Sequence, residues 1–498
     1  MTYPSHCAAS RGRGINRRRF LGAMAGGAGA AALGVAARGA GRSHGDRLNV
    51  LLLITDQQHA GMMSCTGNPH LATPALDGLA ANGTRFERAY AANPVCVPSR
   101  FSMMTGRMPS DVAMRSNSGL PGRKPVPKAI LDQAMGHLFR CAGYETVFGG
   151  KTHWPRGMTV DTIGFAPLTP DQRDGLADAA AAFLKRKHEK PFLLVTSFIN
   201  PHDICYMAID AHAEATGSKR LYPHSTTERA RLAEALTPPP GVSTDAFVTS
   251  HCPPLPANHA VPQREPECVD TLVNRRAFRR YARDHWPAEA WRRHRWAYGR
   301  LTERVDAQIG RVLDALREAG LEEHTLVVFL SDHGDMDSAH RLEHKSVLYE
   351  EACRVPFLVS LKGAVPPGRV DETHLVSTGL DLLPTVCDFA GIAPPEGLRG
   401  RSVRPLVEGR EPVDWRDAIV VECQVGRMLR TDRYKYNVYE DGAHREQLID
   451  LDEDPGEMVN LAADPSREDV LEDHRRRLAR WVEETGDPIA RKYVVRDA

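Results

Sequence analysis

Asn49-Val50-Leu51-Leu52-Leu53-Ile54, running straight into Thr55-Asp56-Gln57, is a short unbroken apolar segment that ends on polar side chains. A strand with one wet face would alternate apolar and polar residues. A continuous run instead describes a strand covered on both faces, as in a parallel sheet sandwiched by helices. Working outward, the same kind of run recurs at Phe192-Leu-Leu-Val195, Leu326-Val-Val-Phe-Leu330 and Val355-Pro-Phe-Leu-Val359, with longer amphipathic stretches between. Helices are signalled where Thr73-Pro74 opens a segment closing at Asn82-Gly83, from Lys128 to Cys141 before Gly143, and from Trp296 to Ala319 before Gly320. The expected fold is α/β: three α/β/α layers around a mostly parallel central sheet.

Two regions depart from this rhythm. Between Asp203 and Trp296 the sequence turns rich in Pro, His and Arg, including Thr237-Pro-Pro-Pro-Gly241, and reads as an insertion in long loops forming a lid or substrate wall. After about Pro412, strand-like segments at Ala418–Cys423, Arg427–Tyr439 and Leu448–Leu451 precede a helix from Arg467 to Glu484. The expected domains are a catalytic α/β domain at 46–411, with its substrate-side insertion at 203–296, and a small C-terminal α+β subdomain at 412–498.

The chain of 498 residues carries 64 basic and 63 acidic side chains, a formal net charge of +1. Nothing in that balance calls for nucleic acid as a partner, so any anion must be met locally. The ten cysteines form no Cys-x-x-Cys pair, which argues against a zinc cluster. Residues 1–45 hold Arg17-Arg18-Arg19-Phe20-Leu21 and then an Ala/Gly-rich apolar run. They resemble a twin-arginine signal, which implies the matching export machinery and a periplasmic or secreted protein. The apolar stretch is too short and Gly-rich for a membrane span.

An Asp followed by a polar side chain stands where two strands should end, Asp56-Gln57 and Asp332-His333, the place where open α/β sheets put ligands. Alone, such an Asp serves more often as a turn or cap. Their context is Cys96-Val97-Pro98-Ser99-Arg100 followed by Thr105-Gly106-Arg107, which resembles the signature of type I sulfatases in the alkaline phosphatase superfamily. In that family the cysteine is oxidised by a formylglycine-generating enzyme to formylglycine (3-oxoalanine). Its hydrate attacks sulfur with one hydroxyl, and the other drives elimination of sulfate, an exit a serine lacks.

The resemblance implies that Asp56, Gln57, Asp332 and His333, with residue 96, bind Ca²⁺, or Mg²⁺ or Mn²⁺, as suits an oxygen-rich set. It also implies that Cys96, Arg100, Lys151, His153, His202 and Lys345 form the catalytic group. Gly150-Lys151-Thr152-His153 and Asn200-Pro201-His202 carry the residues that touch sulfate or leaving group, while Lys345 bridges sulfate and ester oxygen. The proton donor is His202 or Lys345. His340 and His344 read more simply as supporting residues.

Gln57 and His333 stand where many relatives carry Asp and Asn, as in the branch of choline sulfatases and phosphonate monoester hydrolases. The expected activity is hydrolysis of sulfate esters of a sulfated carbohydrate. The alternatives are a small sulfate ester of choline type, a phosphate or phosphonate ester, or a non-catalytic glycan-binding relative. The arginines and aromatics at Arg275-Arg276, Arg279-Arg280, Trp291–Trp296 and nearby Tyr298 are either an anionic-sugar surface or a solvated basic face.

Overall fold

Alternate side chains of the first strand, β1 (Asn49–Asp56), enter two different cores: Val50, Leu52 and Ile54 on one side, Leu51 and Leu53 on the other. That is the period-two geometry of a strand covered on both faces. The computed structural model describes residues 47–221 and 225–495. The signal-like segment, 1–45, lies outside the described residues.

The strands of the sheet are β1, β2 (Gly83–Phe86), β4 (Glu145–Gly150), β5 (Ala166–Pro167), β6 (Phe192–Pro201), β7 (Thr325–Ser331), β8 (Phe357–Ser360) and β9 (Arg369–Asp371), in spatial order β5-β4-β6-β1-β7-β8-β2-β9. A two-stranded piece pairs β3 (Ala89–Tyr90) with β10 (Val376–Ser377). Only β8 runs antiparallel to its neighbours in the large sheet, so the sheet is mostly parallel as expected. Helices Cys96–Thr105, Met135–Cys141 and Thr378–Ala390 cover the Val50 side. Helices Pro74–Ala81, Leu176–Lys185 and Ala288–Glu318 cover the Leu51 side.

Three local expectations are corrected. Lys128 to Cys141 is two helices, Lys128–Leu131 and Met135–Cys141, because the chain turns at Asp132–Ala134. The long helix begins at Ala288 rather than Trp296, with Pro287 just before it, so its arginine-rich start belongs to the helix. The stretch read as long loops is largely helical, with Cys205–Thr216, Thr226–Ala235, Glu267–Asn274 and Ala277–His285. Tertiary packing of their apolar faces, as at Ile209, Phe278 and Ala282 against Trp286 and Trp291, overrides the Pro content.

The C-terminal sheet, β11 (Ile419–Glu422), β12 (Gly426–Arg430), β13 (Tyr434–Tyr439) and β14 (Glu446–Asp450), is antiparallel. Helix Glu468–Thr485 covers one face through Leu471, Leu478 and Val482. Its other face meets Tyr90, Met336 and Tyr349 through Val421, Met428 and Tyr439. Buried Lys435 pins that contact, with Nζ 3.1 Å from Glu350 and 2.7 Å from Glu457. Glu457 also belongs to a second group, with His340 and Glu351, whose ligand atoms lie within 4.8 Å of one another. No helix among the described residues is long and apolar enough to cross a membrane.

Candidate active site

Four adjacent strands, β4, β6, β1 and β7, deliver their carboxyl ends to one place. From them come Lys151, His202, Asp56 with Gln57, and Asp332 with His333. Cys96 is the first residue of a helix buried along its whole length that runs from this edge and closes at Gly106, with φ 67°. The open amide of Val97 donates to Asn117 Oδ1 at 3.0 Å. The first turn is thus fixed, and the positive end of the helix lies at position 96.

Around Cys96 Sγ stand His333 Nε2 at 3.1 Å, Lys345 Nζ at 3.3 Å and Asp56 Oδ1 at 3.9 Å. His333 Nδ1 donates to the Gly334 carbonyl at 2.8 Å, so Nε2 is the atom turned to the site. Arg100 binds both carboxylates at once, Nε to Asp332 at 2.7 Å and Nη2 to Asp56 at 2.9 Å. Its Nη1 reaches Ser197 Oγ at 2.7 Å and the Lys151 carbonyl at 2.9 Å. Lys151 Nζ lies 2.6 Å from Asp56 Oδ2, and His202 Nε2 is 3.9 Å from Asp56 Oδ1. The Gln57 amide oxygen accepts from Lys345 Nζ at 2.6 Å, and its amide nitrogen donates to Asp335 at 2.7 Å.

The electrostatics follow from burial set against this ring of cations. Burial alone would raise the Asp56 carboxyl, but Lys151, Arg100 and Lys345 hold it well below the usual range. Burial and Asp56 push against charge on the Cys96 thiol, and Lys345, Lys151 and His333 outweigh them, bringing it well below an ordinary thiol. An anion at position 96 is therefore favoured. Asp332 is pushed up by burial in spite of Arg100, with Asp56 adding to the rise. Burial, Lys151 and Lys345 keep His202 neutral, while Lys345 is held protonated against burial by Cys96 and Asp56.

Ligand atoms of Asp56, Cys96, Asp332 and His333 all lie within 4.8 Å of one another. Two carboxylates, an imidazole nitrogen and a polar fourth position fit a divalent cation, whose charge would offset the burial and the Asp56 repulsion that raise Asp332. Arg100 and Lys151 hold these carboxylates from outside, which orients them toward the same point.

Above Cys96 opens a cavity of about 770 Å³ lined by His153, His202, Lys345, His344 and residues of the helical insertion. His153 lines the same cavity as Cys96, is exposed, has φ 42° and forms no hydrogen bond among the described residues. His340 stacks on Tyr349, away from Cys96. Of the segment after His202, Cys205 and Tyr206 line the cavity, whereas Asp203 is buried against Arg173 at 2.8 Å. The basic stretch divides. Arg275, Arg276 and Arg279 line the cavity, but Arg280 turns to Asp270 and Asp284. Arg292 caps the carbonyls of Cys252 and Pro253, and Trp291 is core.

Three supporting residues escaped the sequence reading, and a fourth, Tyr298, was read there as part of a sugar surface but serves Gln57 instead. Ser197 and Asp335 hold Arg100 and Gln57, Asn117 caps the helix, and Tyr298 donates to the Gln57 carbonyl at 2.6 Å. Ser197 was visible as a polar residue inside a buried apolar strand, and Asp335 as a second acid just after Asp332-His333. Asn117 gave no signal, and the role of Tyr298 was hidden because its partner Gln57 lies 241 positions away.

The chain matches the sulfatase family model over residues 48–392, and that for the C-terminal region of N-sulphoglucosamine sulphohydrolase over residues 338–484. It is 30% identical over 479 residues to a Δ4,5-hexuronate-2-O-sulfatase of Bacteroides thetaiotaomicron, covering 91% of this chain and 93% of that one. A solved 2-O glycosaminoglycan sulfatase superimposes with a TM-score of 0.74 at 30% identity, over 91% of this chain and 95% of the other. The phosphonate monoester hydrolase of Silicibacter pomeroyi shares the fold, with a TM-score of 0.68 at 21% identity over 89% and 97%. Chain, fold and the side chains gathered on one cysteine agree, and the protein belongs to the sulfatase family as a sulfuric ester hydrolase.

Proposed function

We propose that this protein cleaves sulfate esters of a sulfated carbohydrate outside the cytoplasm, with Cys96 oxidised to formylglycine and its hydrate as the nucleophile. The observation that carries this reading is the place of Cys96, buried at a helix start among Lys345, His333 and Asp56 and open to the cavity. Relatives acting on hexuronate 2-O-sulfate and on a glycosaminoglycan 2-O-sulfate support a sugar substrate. Export by the twin-arginine machinery to the periplasm or medium, a formylglycine-generating enzyme as partner, and the division at 46–411 and 412–498 belong to the same proposal.

Asp56, Asp332 and His333, with Gln57 and the residue at 96, would hold the cation, proposed as Ca²⁺. Bound there, it would supply positive charge that lowers the proton affinity of the nucleophile and gathers sulfate oxygen. Arg100 and Lys151 keep the carboxylates oriented, and Lys345 faces position 96 with its proton in place. We assign to Lys345 the stabilisation of charge on the ester oxygen, since His202 is neutral before substrate arrives. His202 remains within reach to exchange a proton with the leaving alcohol.

Lys345→Met is then expected to lower kcat about 100-fold or more for a sugar sulfate. It should cost much less for p-nitrophenyl sulfate, whose leaving group needs little help. Equal losses on both substrates would remove Lys345 from the leaving-group side. Chelation of metal should abolish turnover and calcium restore it; rescue by zinc alone would contradict the hard-cation assignment.

Gln57 and His333 favour one second reading, a phosphonate or phosphate ester. Comparative kcat/KM separates the two. The proposal predicts sugar sulfates well above any phosphonate, and a phosphonate preferred over every sulfate tested would overturn it.

A further inference from the structure

Metal-ligand side chains converge at a second place, where the C-terminal sheet meets the loop after β7. A ring nitrogen of His340 and carboxylate oxygens of Glu351 and Glu457 all stand within 4.8 Å of one another. His340 is 0% exposed, and neither of its ring nitrogens has a hydrogen-bond partner among the described residues. Its ring lies flat on Tyr349, with centroids 4.0 Å apart and planes inclined by 19°, which fixes the direction of its edge. Leaving a buried imidazole unpartnered is costly, and beside two carboxylates it completes the donor set of a metal site.

The acids there are short of positive charge. Lys435 Nζ is shared between Glu350 at 3.1 Å and Glu457 at 2.7 Å, and Glu350 has Arg354 at 3.5 Å besides. Glu351 has only a neutral partner for its carboxylate: Oε1 accepts from the Asn258 amide at 2.8 Å, and buried Oε2 has no hydrogen bond among the described residues. Burial, with Glu350 and Glu351 adding to it, pushes the Glu457 carboxyl up to about 8 in spite of Lys435. Burial, Lys435 and Arg283 hold His340 down to about 3, so it offers these acids a lone pair rather than a charge. Asn258 fastens the group from outside, its carbonyl accepting from the His340 amide at 2.7 Å and its side-chain amide donating to the Gly456 carbonyl at 3.2 Å. Glu351 is the partly exposed member and gives an ion its way in.

We propose that His340, Glu351 and Glu457 bind a divalent cation of the zinc class that ties the loop carrying Lys345 to the C-terminal sheet. His340 and Glu351 flank Lys345 in that loop, whereas Glu457 follows β14. One imidazole nitrogen and two carboxylates suit a first-row dication better than calcium, which takes six or more oxygens. The ion is structural and takes no part in sulfate transfer, so the proposal stands apart from the activity assigned to Cys96.

The full chain is stripped of metal, supplied with excess calcium and titrated with zinc, beside His340→Phe and Glu351→Gln. Phenylalanine keeps a flat ring on Tyr349 and removes both nitrogens; glutamine keeps the shape of Glu351 and removes its charge. Equilibrium dialysis should find one equivalent more zinc in the parent than in either variant, held with a Kd below about 1 µM. At about 100-fold excess over that Kd, zinc should raise the parent's Tm at least about 2 °C more than theirs. Hydrogen exchange locates the ion without any variant: zinc should slow exchange across 339–353 and 454–458 in the parent. Equal zinc in parent and variants, no zinc held in excess calcium, or slowing confined to the segment around Cys96 would overturn the site. Turnover of p-nitrophenyl sulfate in calcium alone reports on Cys96, so a failure there and a failure here are told apart.

Discussion

Replacing Cys96 with alanine is expected to lower kcat/KM on every sulfate ester by at least about 10⁴-fold while the fold persists. The side chain is buried at the start of the helix Cys96–Thr105 and touches His333, Lys345 and Asp56 through its terminal atom alone. Alanine removes that atom and leaves the helix start, with Val97 still donating to Asn117. The ring of cations stays in place, so sugar sulfates should still bind. Cys96→Ser tests the chemistry further: a serine left unoxidised sits in the same field but lacks the second hydroxyl that releases sulfate. At best it turns over once. Activity of either variant within tenfold of the parent protein, measured on p-nitrophenyl sulfate, would place the nucleophile elsewhere.

Arg100→Met is expected to cost about 3–5 kcal/mol of stability, because it strips a buried guanidinium from two buried carboxylates. Arg100 is 2% exposed and spends three of its donors on Asp332, Asp56 and Ser197 and a further bond on the Lys151 carbonyl. Lys151 would still face Asp56, so the uncompensated charge falls chiefly on Asp332, which burial already pushes up. A divalent cation neutralises the same pair of carboxylates, so adding calcium should recover part of the loss and a chelator should deepen it. Urea denaturation with and without calcium reads both effects. A midpoint unchanged from the parent, or a loss indifferent to calcium, would mean that Arg100 and the cation do not share these carboxylates.

The sequence displayed most plainly the features that local chemistry enforces. A run such as Val50–Ile54 is continuous because both its faces are buried, and the structure sends its alternate residues into separate cores. Asp56 and Asp332 were legible because a carboxylate directly after such a run sits at a strand's carboxyl end. Cys96, Lys151, His202 and Lys345 were legible through their short motifs, and the structure brings them to the same site. What escaped depends on distant chain. The reach of Tyr298 to Gln57 spans 241 positions, and no local pattern announces it. The insertion misled because Pro-rich sequence hides helices stabilised by packing, such as Phe278 and Ala282 against Trp286. The segment Gly150–His153 follows its strand as expected, and His153 lines the same cavity as Cys96, His202 and Lys345.

The central claim is that residue 96 works as an aldehyde hydrate, and peptide mass spectrometry of the protein made with a formylglycine-generating enzyme tests it most directly. Exchange of the thiol's sulfur and two hydrogens for one oxygen predicts a peptide lighter by about 18 Da at position 96, with turnover rising in proportion to that fraction. Full activity in protein whose position 96 is wholly an unmodified thiol would contradict the account.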